Sequence, residues 1–397
     1  MRALIQLDIV RQILTAYSDD IPVHFFLKEF YKKHRQFGSR DRRFYSDVVY
    51  KYFRCKTLFD KLPFEEKLCY SGFITTPEPS DFYKYLIAVH NIALPLESYW
   101  SYSLSEKLEL LEGAGKVSLL NYFPASENVD AALDSKPFLL SHFSQPEFFI
   151  RVPQKRVPEV VVMLNQQQVL FKQEGNSFAF ESQFDLSKFL PESSFEVQDY
   201  SSQKTIELFT LKGKERIWDC CSGAGGKSLM LMEAYPELNL YCSDKRISIL
   251  ENLKIRFQKK GLEPKGVQVF DVVKNRSGLT FNNEMVREGY FDLILADVPC
   301  SGSGTWGRNP ERLYQFKEAE VEVYSSIQRS VVANAIRYLK VGGQLIYITC
   351  SVYKQENAEN VAYIRELGLE LEHERYFIGY NRNADTMYGA LLRKLRN

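Results

Sequence analysis

Along the first hundred or so residues, apolar positions return every third or fourth place. Leu4, Leu7, Val10, Leu14 and Tyr17 fall on one face at helical spacing. Pro22 stands where a first helical turn tolerates proline, and Val23, Phe26 and Phe30 carry the stripe onward. Past Ser39 the pairs Phe44/Tyr45, Val48/Val49 and Tyr52/Phe53 predict a third helix. Residues 1 to about 112 therefore read as helical, and the polar stretch 113–136 as a linker. Beyond it the pattern shortens into a strand at 148–152, a helix at 157–165 and strands at 169–172 and 177–181. That order predicts a small α+β module.

From about Lys214 the alternation becomes regular. Short apolar runs at 217–221, 238–243, 267–270, 291–296 and 344–349 each end in polar or glycine-containing residues. Helical stretches at 227–234, 247–260, 318–339 and 356–367 separate several of them. The prediction is an α/β region: a mostly parallel, Rossmann-like sheet with helices on both faces. In such sheets ligands bind beyond the carboxyl ends of the strands. The unusual residues of this sequence collect there.

Composition narrows the classes. The chain has 397 residues, 45% apolar and 25% charged, which suits a soluble globular protein of two or three domains. No apolar stretch approaches the roughly 20 residues that span a bilayer, so no membrane partner is expected. Met1 to Val10 carry Arg2 and Asp8 in an amphipathic pattern and do not read as a signal peptide. Seven cysteines without repeated spacing point to a reducing, cytoplasmic setting. Five scattered histidines and no Cys-x-x-Cys leave no expectation of a metal site. Nothing in the composition suggests more than a monomer.

Net charge is only +1, so any nucleic-acid surface must be local. Residues 21–61 hold eleven Lys/Arg against four Asp/Glu, with Phe37, Tyr45, Tyr50 and Tyr52 interleaved. The functional reading is RNA phosphate binding. The plainer one is a solvated helix face with aromatic core behind it.

A glycine loop, Cys220-Cys221-Ser222-Gly223-Ala224-Gly225-Gly226-Lys227-Ser228, joins the strand ending near Asp219 to a helix. Such a loop brings backbone close to a ligand at a helix N-terminus. A phosphate-binding Walker loop would need glycine where Cys221 stands, and a dinucleotide fingerprint would need it at Ser228, so both fail. S-adenosylmethionine remains, its methionine portion lying on the loop and its ribose on a carboxylate. Asp244 closes the second strand, where a ribose-binding acid belongs, and Asp271 closes the third on the adenine side. An acid at a strand end is as often a helix cap.

Two further strand ends carry thiols, in Asp297-Val298-Pro299-Cys300-Ser301-Gly302 and Thr349-Cys350-Ser351. Most free cysteines are small buried hydrophobes, and Cys55, Cys69, Cys220 and Cys242 read that way. Cys300 and Cys350 lie instead at strand-to-loop junctions. Alkylation of carbon 5 of a pyrimidine suits this layout, because that carbon becomes nucleophilic only after a thiolate adds to carbon 6. Asp297 is placed to interact with the ring N3, and Lys227 is a candidate cation for the thiolate.

With these residues in hand, the chain resembles the RsmB-type RNA cytosine-5 methyltransferases of the Nop2/Sun group. Gly225-Gly226-Lys227 after Asp219-x-Cys221, the Pro299-Cys300 segment and Thr349-Cys350-Ser351 match its signature segments in order. Val197-Gln198-Asp199 with Ser201 and Gln203 is similar to the start of its catalytic domain. The resemblance implies three domains: a NusB-like helical RNA-binding domain at 1–128, an RRM-like module at 136–205 and a class I methyltransferase domain at 206–397. It implies Cys350 as nucleophile and Cys300 as the cysteine that assists release of the adduct. Cofactor contacts would fall to Cys221, Ser222, Gly223, Gly225, Gly226, Lys227, Asp244, Asp271 and Asp297. The implied substrate is 16S ribosomal RNA, with transfer RNA as the alternative. Rival readings use Cys300 as nucleophile, or take the chain as an inactive RNA-binding assembly factor. The loop also departs from the family's usual Ala-Ala-Pro-Gly-Gly-Lys, since Ser222-Gly223-Ala224 lacks the proline.

Overall fold

The computed structural model describes residues 2–92, 99–119, 122–182, 184–274 and 278–396. The chain divides into two compact units. One gathers Met1–Glu127, Asp134–Gln145 and Trp306–Glu318, and the other Asn128–Leu133, Pro146–Thr305 and Ala319–Asn397.

The first unit is helical, with α1 (Arg2–Ala16), α2 (Val23–Lys33), α3 (Ser39–Cys55), α4 (Phe64–Thr75), α5 (Asp81–His90), α6 (Leu104–Gly113) and α7 (Ser135–Ser141). Helix α1 buries Leu7, Val10 and Ile13, while Leu4 is 48% exposed. The expected face is thus rotated toward Ile13, because spacing alone does not say which of two adjacent stripes meets α3 and α5. The α6 N-terminus carries a capping box, Ser103 with Glu106, as its sequence allows. The expected linker at 113–136 is not a loose connection: Tyr122, Phe123 and Leu133 are buried, and Tyr122 Oη donates to the Arg54 carbonyl at 2.9 Å. A few large apolar side chains suffice to anchor an otherwise polar segment. In the basic stretch, Tyr45 is core, and Arg54 is buried with its guanidinium on the His142 carbonyl. Lys28, Lys32, Lys33, Arg35, Arg40 and Arg43 are exposed.

Residues 306–318 pack in this unit although their sequence neighbours do not. Trp306 is buried against Phe123 and Phe316. Short helix α12 (Arg312–Gln315) follows Glu311, whose buried carboxylate accepts the Val23 N–H at the start of α2 (3.1 Å). Tyr314 lies parallel to Phe53, ring centroids 5.8 Å apart.

The second unit begins with β1 (Phe148–Arg151), α8 (Val157–Gln166), β2 (Lys172–Glu174), β3 (Ser177–Phe180) and β4 (Glu196–Val197). These strands form an antiparallel sheet in the order β2-β3-β1-β4, the split β-α-β arrangement. Ile150, Val160, Leu164, Phe178 and Phe180 make its own core. The strand expected at 169–172 starts only at Lys172. Gln168, at φ +55°, turns the chain after α8, so Val169 enters the core from a loop and not from a ladder.

After α9 (Tyr200–Lys204) come β5 (Arg216–Asp219), α10 (Gly226–Ala234), β6 (Asn239–Asp244), α11 (Ile247–Lys259) and β7 (Gly266–Val269). A small hairpin, β8 (Thr280–Phe281) with β9 (Glu284–Met285), precedes β10 (Phe291–Asp297), α13 (Ala319–Ala335), β11 (Leu339–Thr349), α14 (Ala358–Glu366), β12 (Leu369–Phe377) and β13 (Met387–Lys394). The main sheet runs β12-β13-β11-β10-β5-β6-β7. The five strands from β7 to β11 are parallel, as expected, whereas β13 is antiparallel to both neighbours. Each face is apolar: Trp218, Ile294 and Tyr347 point into one core, Ile217, Leu295 and Ile348 into the other. This double burial is why these strands read as continuous apolar runs. Chain order reverses at β5, which lies between β6 and β10, and the crevice at that point opens beyond the strand ends.

Candidate active site

A cavity of about 690 Å³ occupies that crevice, within the usual size range of small-molecule sites. Its wall includes Cys221, Ser222, Gly223, Gly226 and Lys227 from the glycine loop. Asp244, Asp271, Asp297, Cys300 and Cys350 complete it from four further strand ends. Ten of the eleven residues singled out from the sequence therefore share one space. Gly225 is the exception. It adopts φ +80°, and a Cβ there would sit 2.9 Å from Leu253 Cγ and 3.0 Å from Phe257 Cε2, both on α11. Its lack of a side chain serves helix packing behind the loop. Gly226 is the reverse case: a Cβ there would meet nothing within 4 Å.

The loop is braced from several sides. Ser222 N–H donates to the Ser243 carbonyl (2.9 Å), and Gly225 N–H to the Ser222 carbonyl (2.8 Å). Gly223 N–H donates to Asp244 Oδ2 at 3.1 Å. Burial opposes the charge on Asp244, but donors from Arg246 and from the N–H groups of Arg246 and Gly223 outweigh it and hold its carboxyl below the usual range. Asp271 is positioned otherwise. Its Oδ1 accepts the Val273 and Lys274 N–H groups, so the carboxylate also ties the turn after β7.

The two thiols stand at the ends of neighbouring parallel strands, with Cys300 Sγ 3.2 Å from Cys350 Sγ. Contact with the Cys350 sulfur, then burial, raise the Cys300 pKa well above that of a free thiol. Lys227 Nζ donates to Asp297 Oδ2 at 2.7 Å, the lysine side chain 9% exposed and the aspartate 34%. Burial disfavours the ammonium, yet Asp297 and then Cys350 hold it, and its pKa rises. The ammonium is thus paired with the Asp297 carboxylate, and Cys350 lines the same cavity. Beneath it Asp219 is fully buried, accepting from Ser228 Oγ at 2.6 Å. Burial pushes its pKa up to about 7, partly offset by that serine, with the Asp297 charge adding to the rise. Cys55, Cys69, Cys220 and Cys242 are all buried.

Several site residues escaped the sequence reading. Arg246 chelates Asp244 through Nε (2.9 Å) and Nη2 (3.0 Å). Arg256, on α11, donates to the Ala224 carbonyl (2.7 Å) and to Glu196 of β4 (2.7 Å), tying the loop to the neighbouring module. Glu356, fully buried, binds the residues that follow both thiols. A helix-start glutamate such as Glu356 reads as solvated. Only the serine directly after each cysteine hinted at a polar interior.

Comparison with known proteins follows the same outline. Residues 206–379 match a family described as 16S rRNA methyltransferase RsmB/F. Ribosomal RNA small subunit methyltransferase B of Shewanella oneidensis is 30% identical over 172 residues, which cover 43% of this chain and 38% of that protein. The protein of the same name from Cronobacter sakazakii is 34% identical over 169 residues, 42% of this chain and 37% of its own length. The match thus spans under two fifths of these relatives. Among solved structures, that of PH0851 covers 94% of this chain and 95% of its own, with a TM-score of 0.69 at 21% identity. NSun6 from Pyrococcus horikoshii, solved with SFG, covers 70% of this chain and 100% of its own, with a TM-score of 0.59 at 14% identity. At these identities the structural likeness establishes the fold.

Proposed function

We propose that the protein, whose residues 206–379 match the RsmB/F methyltransferase family, methylates carbon 5 of a cytosine in 16S ribosomal RNA, using S-adenosylmethionine. The observation that carries this reading is the 3.2 Å approach of Cys300 and Cys350 beside the Lys227–Asp297 pair. One cysteine would suit many enzymes. Two at adjoining strand ends, with a buried cation and a carboxylate alongside, suit a reaction that must both form and break a thioether.

The residues present fit the cofactor. The open space over Gly226 admits a ligand against the backbone, Asp244 offers a carboxylate for a ribose diol, and Asp271, on the same cavity wall, would meet the adenine. When bound, S-adenosylmethionine supplies an electrophilic methyl group. The chain's own residues do the rest. Lys227 stabilises the Cys350 thiolate, which adds to carbon 6 of the base. Asp297, held by Lys227, faces the ring N3 as charge develops there. This addition makes carbon 5 nucleophilic, so that it would accept the cofactor's methyl group as the sulfonium–methyl bond breaks and the thioether departs. Loss of the carbon 5 proton expels the thiolate and restores the ring, with Cys300 assisting that release.

In this proposal the exposed lysines and arginines between Lys28 and Arg43 contact RNA phosphates in a NusB-like domain. The three-domain division at 1–128, 136–205 and 206–397, a monomeric state and a cytoplasmic setting belong to the same reading. The separate core of the antiparallel module supports an RRM-like unit.

The test is transfer of labelled methyl into small-subunit ribosomal RNA lacking the modification. Wild type labels it. Cys350→Ala gives neither label nor a denaturant-stable enzyme–RNA adduct, and Cys300→Ala accumulates the adduct. Full turnover by Cys350→Ala, or an adduct that needs Cys300, refutes the assignment.

A further inference from the structure

Cys300 does not sit on its strand. Strand β10 ends at Asp297, paired with Ile348, so Cys300 lies three residues beyond its strand while Cys350 follows β11 directly. Adjacent strands are about 4.8 Å apart, so sheet geometry alone brings the strand ends together but does not orient the loop. A second set of bonds does so.

Their centre is Glu356, six residues beyond Cys350 and 0% exposed. Its Oε1 accepts the Ser301 N–H at 2.9 Å and Gln328 Nε2 at 2.8 Å. Its Oε2 accepts Ser301 Oγ and Ser351 Oγ, each at 2.5 Å. Four donors fill the acceptor positions of one carboxylate. Ser301 follows Cys300, and Ser351 follows Cys350. Gln328 also donates to the Pro299 carbonyl at 3.0 Å, on the other side of Cys300. Tyr347 Oη donates its one proton to the Glu356 carbonyl (2.6 Å) and lies 3.0 Å from Gln328 Oε1. The side chain that holds both cysteine loops touches neither thiol and does not line the cavity.

We propose that Glu356 is a positioning residue that sets the separation of the two thiols, and through it the rate at which the base adduct is released. This rests on the reading of Cys350 as nucleophile and Cys300 as the releasing cysteine. The role is geometric and not a matter of charge. A glutamine in the same place keeps one acceptor for Ser301 N–H and Gln328, and its amide donates to the two hydroxyls, which can turn to accept. An alanine keeps none of these bonds.

The experiment measures thiol proximity on the full-length protein without RNA. Dibromobimane becomes fluorescent once both its bromides have been displaced by thiols, and the part of the signal lost in Cys300→Ser reports the Cys300–Cys350 pair. Glu356→Ala should bridge at least tenfold more slowly than wild type, and Glu356→Gln should return to within about threefold. In the methylation assay Glu356→Ala should accumulate enzyme–RNA adduct while its cofactor affinity stays within about threefold, and Glu356→Gln should turn over. If Glu356→Ala does not fold, Ser301→Ala, which removes one donor, should slow bridging severalfold. Bridging at the wild-type rate in Glu356→Ala, or in Ser301→Ala where that is used, overturns the proposal. So does a Glu356→Gln as slow as the alanine variant. Failure of the catalytic reading shows separately, as full turnover by Cys350→Ala.

Discussion

Substituting alanine at Gly225 and at Gly226 should separate fold from function in adjacent residues. At Gly225 two penalties add. An L-residue in the left-handed region costs about 1–2 kcal/mol, and Gly225 has φ +80° and ψ 21°. The new Cβ would also lie 2.9–3.1 Å from atoms of Leu253 and Phe257. Those side chains are 0% and 1% exposed, so they have no open side to move toward. Overpacking of this kind costs about 1–3 kcal/mol. The sum, about 2–5 kcal/mol, is a large part of the roughly 5–15 kcal/mol that holds a domain together. At Gly226 neither penalty applies, and a helical Gly→Ala replacement gains about 0.5–1 kcal/mol. The added methyl projects into the cavity, so the loss appears in cofactor binding. Urea denaturation and calorimetric titration with S-adenosylmethionine should show Gly225→Ala with a lowered midpoint. Gly226→Ala should show an unchanged or raised midpoint and at least tenfold weaker binding. The reverse pattern, or a Gly225→Ala as stable as wild type, would refute the division of labour.

Three further outcomes follow from the site. Asp219 binds its proton up to about pH 7 in the folded protein and only to about pH 4 when unfolded, so folding stability drops as pH rises between those values. Asp219→Asn cannot ionise; its unfolding free energy, read by urea denaturation, should match wild type near pH 4 and exceed it increasingly toward pH 8, by at most about 4 kcal/mol. A constant difference across that range would sink the argument. Lys227→Met removes the cation paired with Asp297, and adduct formation in a single-turnover assay with saturating cofactor should slow by about 100-fold, roughly 2.7 kcal/mol. Arg256→Met removes the donor to the Ala224 carbonyl. Cofactor KM should rise about 3–30-fold with kcat nearly unchanged, which steady-state kinetics will read directly.

Much of this was legible in the chain. The parallel strands announced themselves because both faces of each are buried, and the thiols because each interrupts an apolar run at its end. The order of the sheet was less accessible. Strand β12 carries Glu370, Glu372, His373, Glu374 and Arg375, so it reads as a solvated segment although it forms the sheet edge. Gly225 and Gly226 are chemically identical in a sequence, and only the approach of α11 distinguishes them. Glu356 is legible only once folding has carried Ser301 to the side of Ser351. A buried carboxylate's partners are set by tertiary contact, which local pattern does not encode. The loss of the loop's proline was visible, but the Arg256–Glu196 tie that braces the loop was not, since its two ends lie sixty residues apart.

Residues 306–318 bear on how such a protein can be rearranged over evolution. The two units interleave as three segments each, so the chain passes between them five times. A gene fragment ending at residue 145 would carry the helices but leave the Val23 N–H without Glu311, Phe53 without Tyr314 and Phe123 without Trp306. The helical unit is therefore not a portable cassette. Recombination at its apparent boundary would yield an incomplete core, and a chimaera that replaced either unit would have to exchange this thirteen-residue excursion together with the helices it completes.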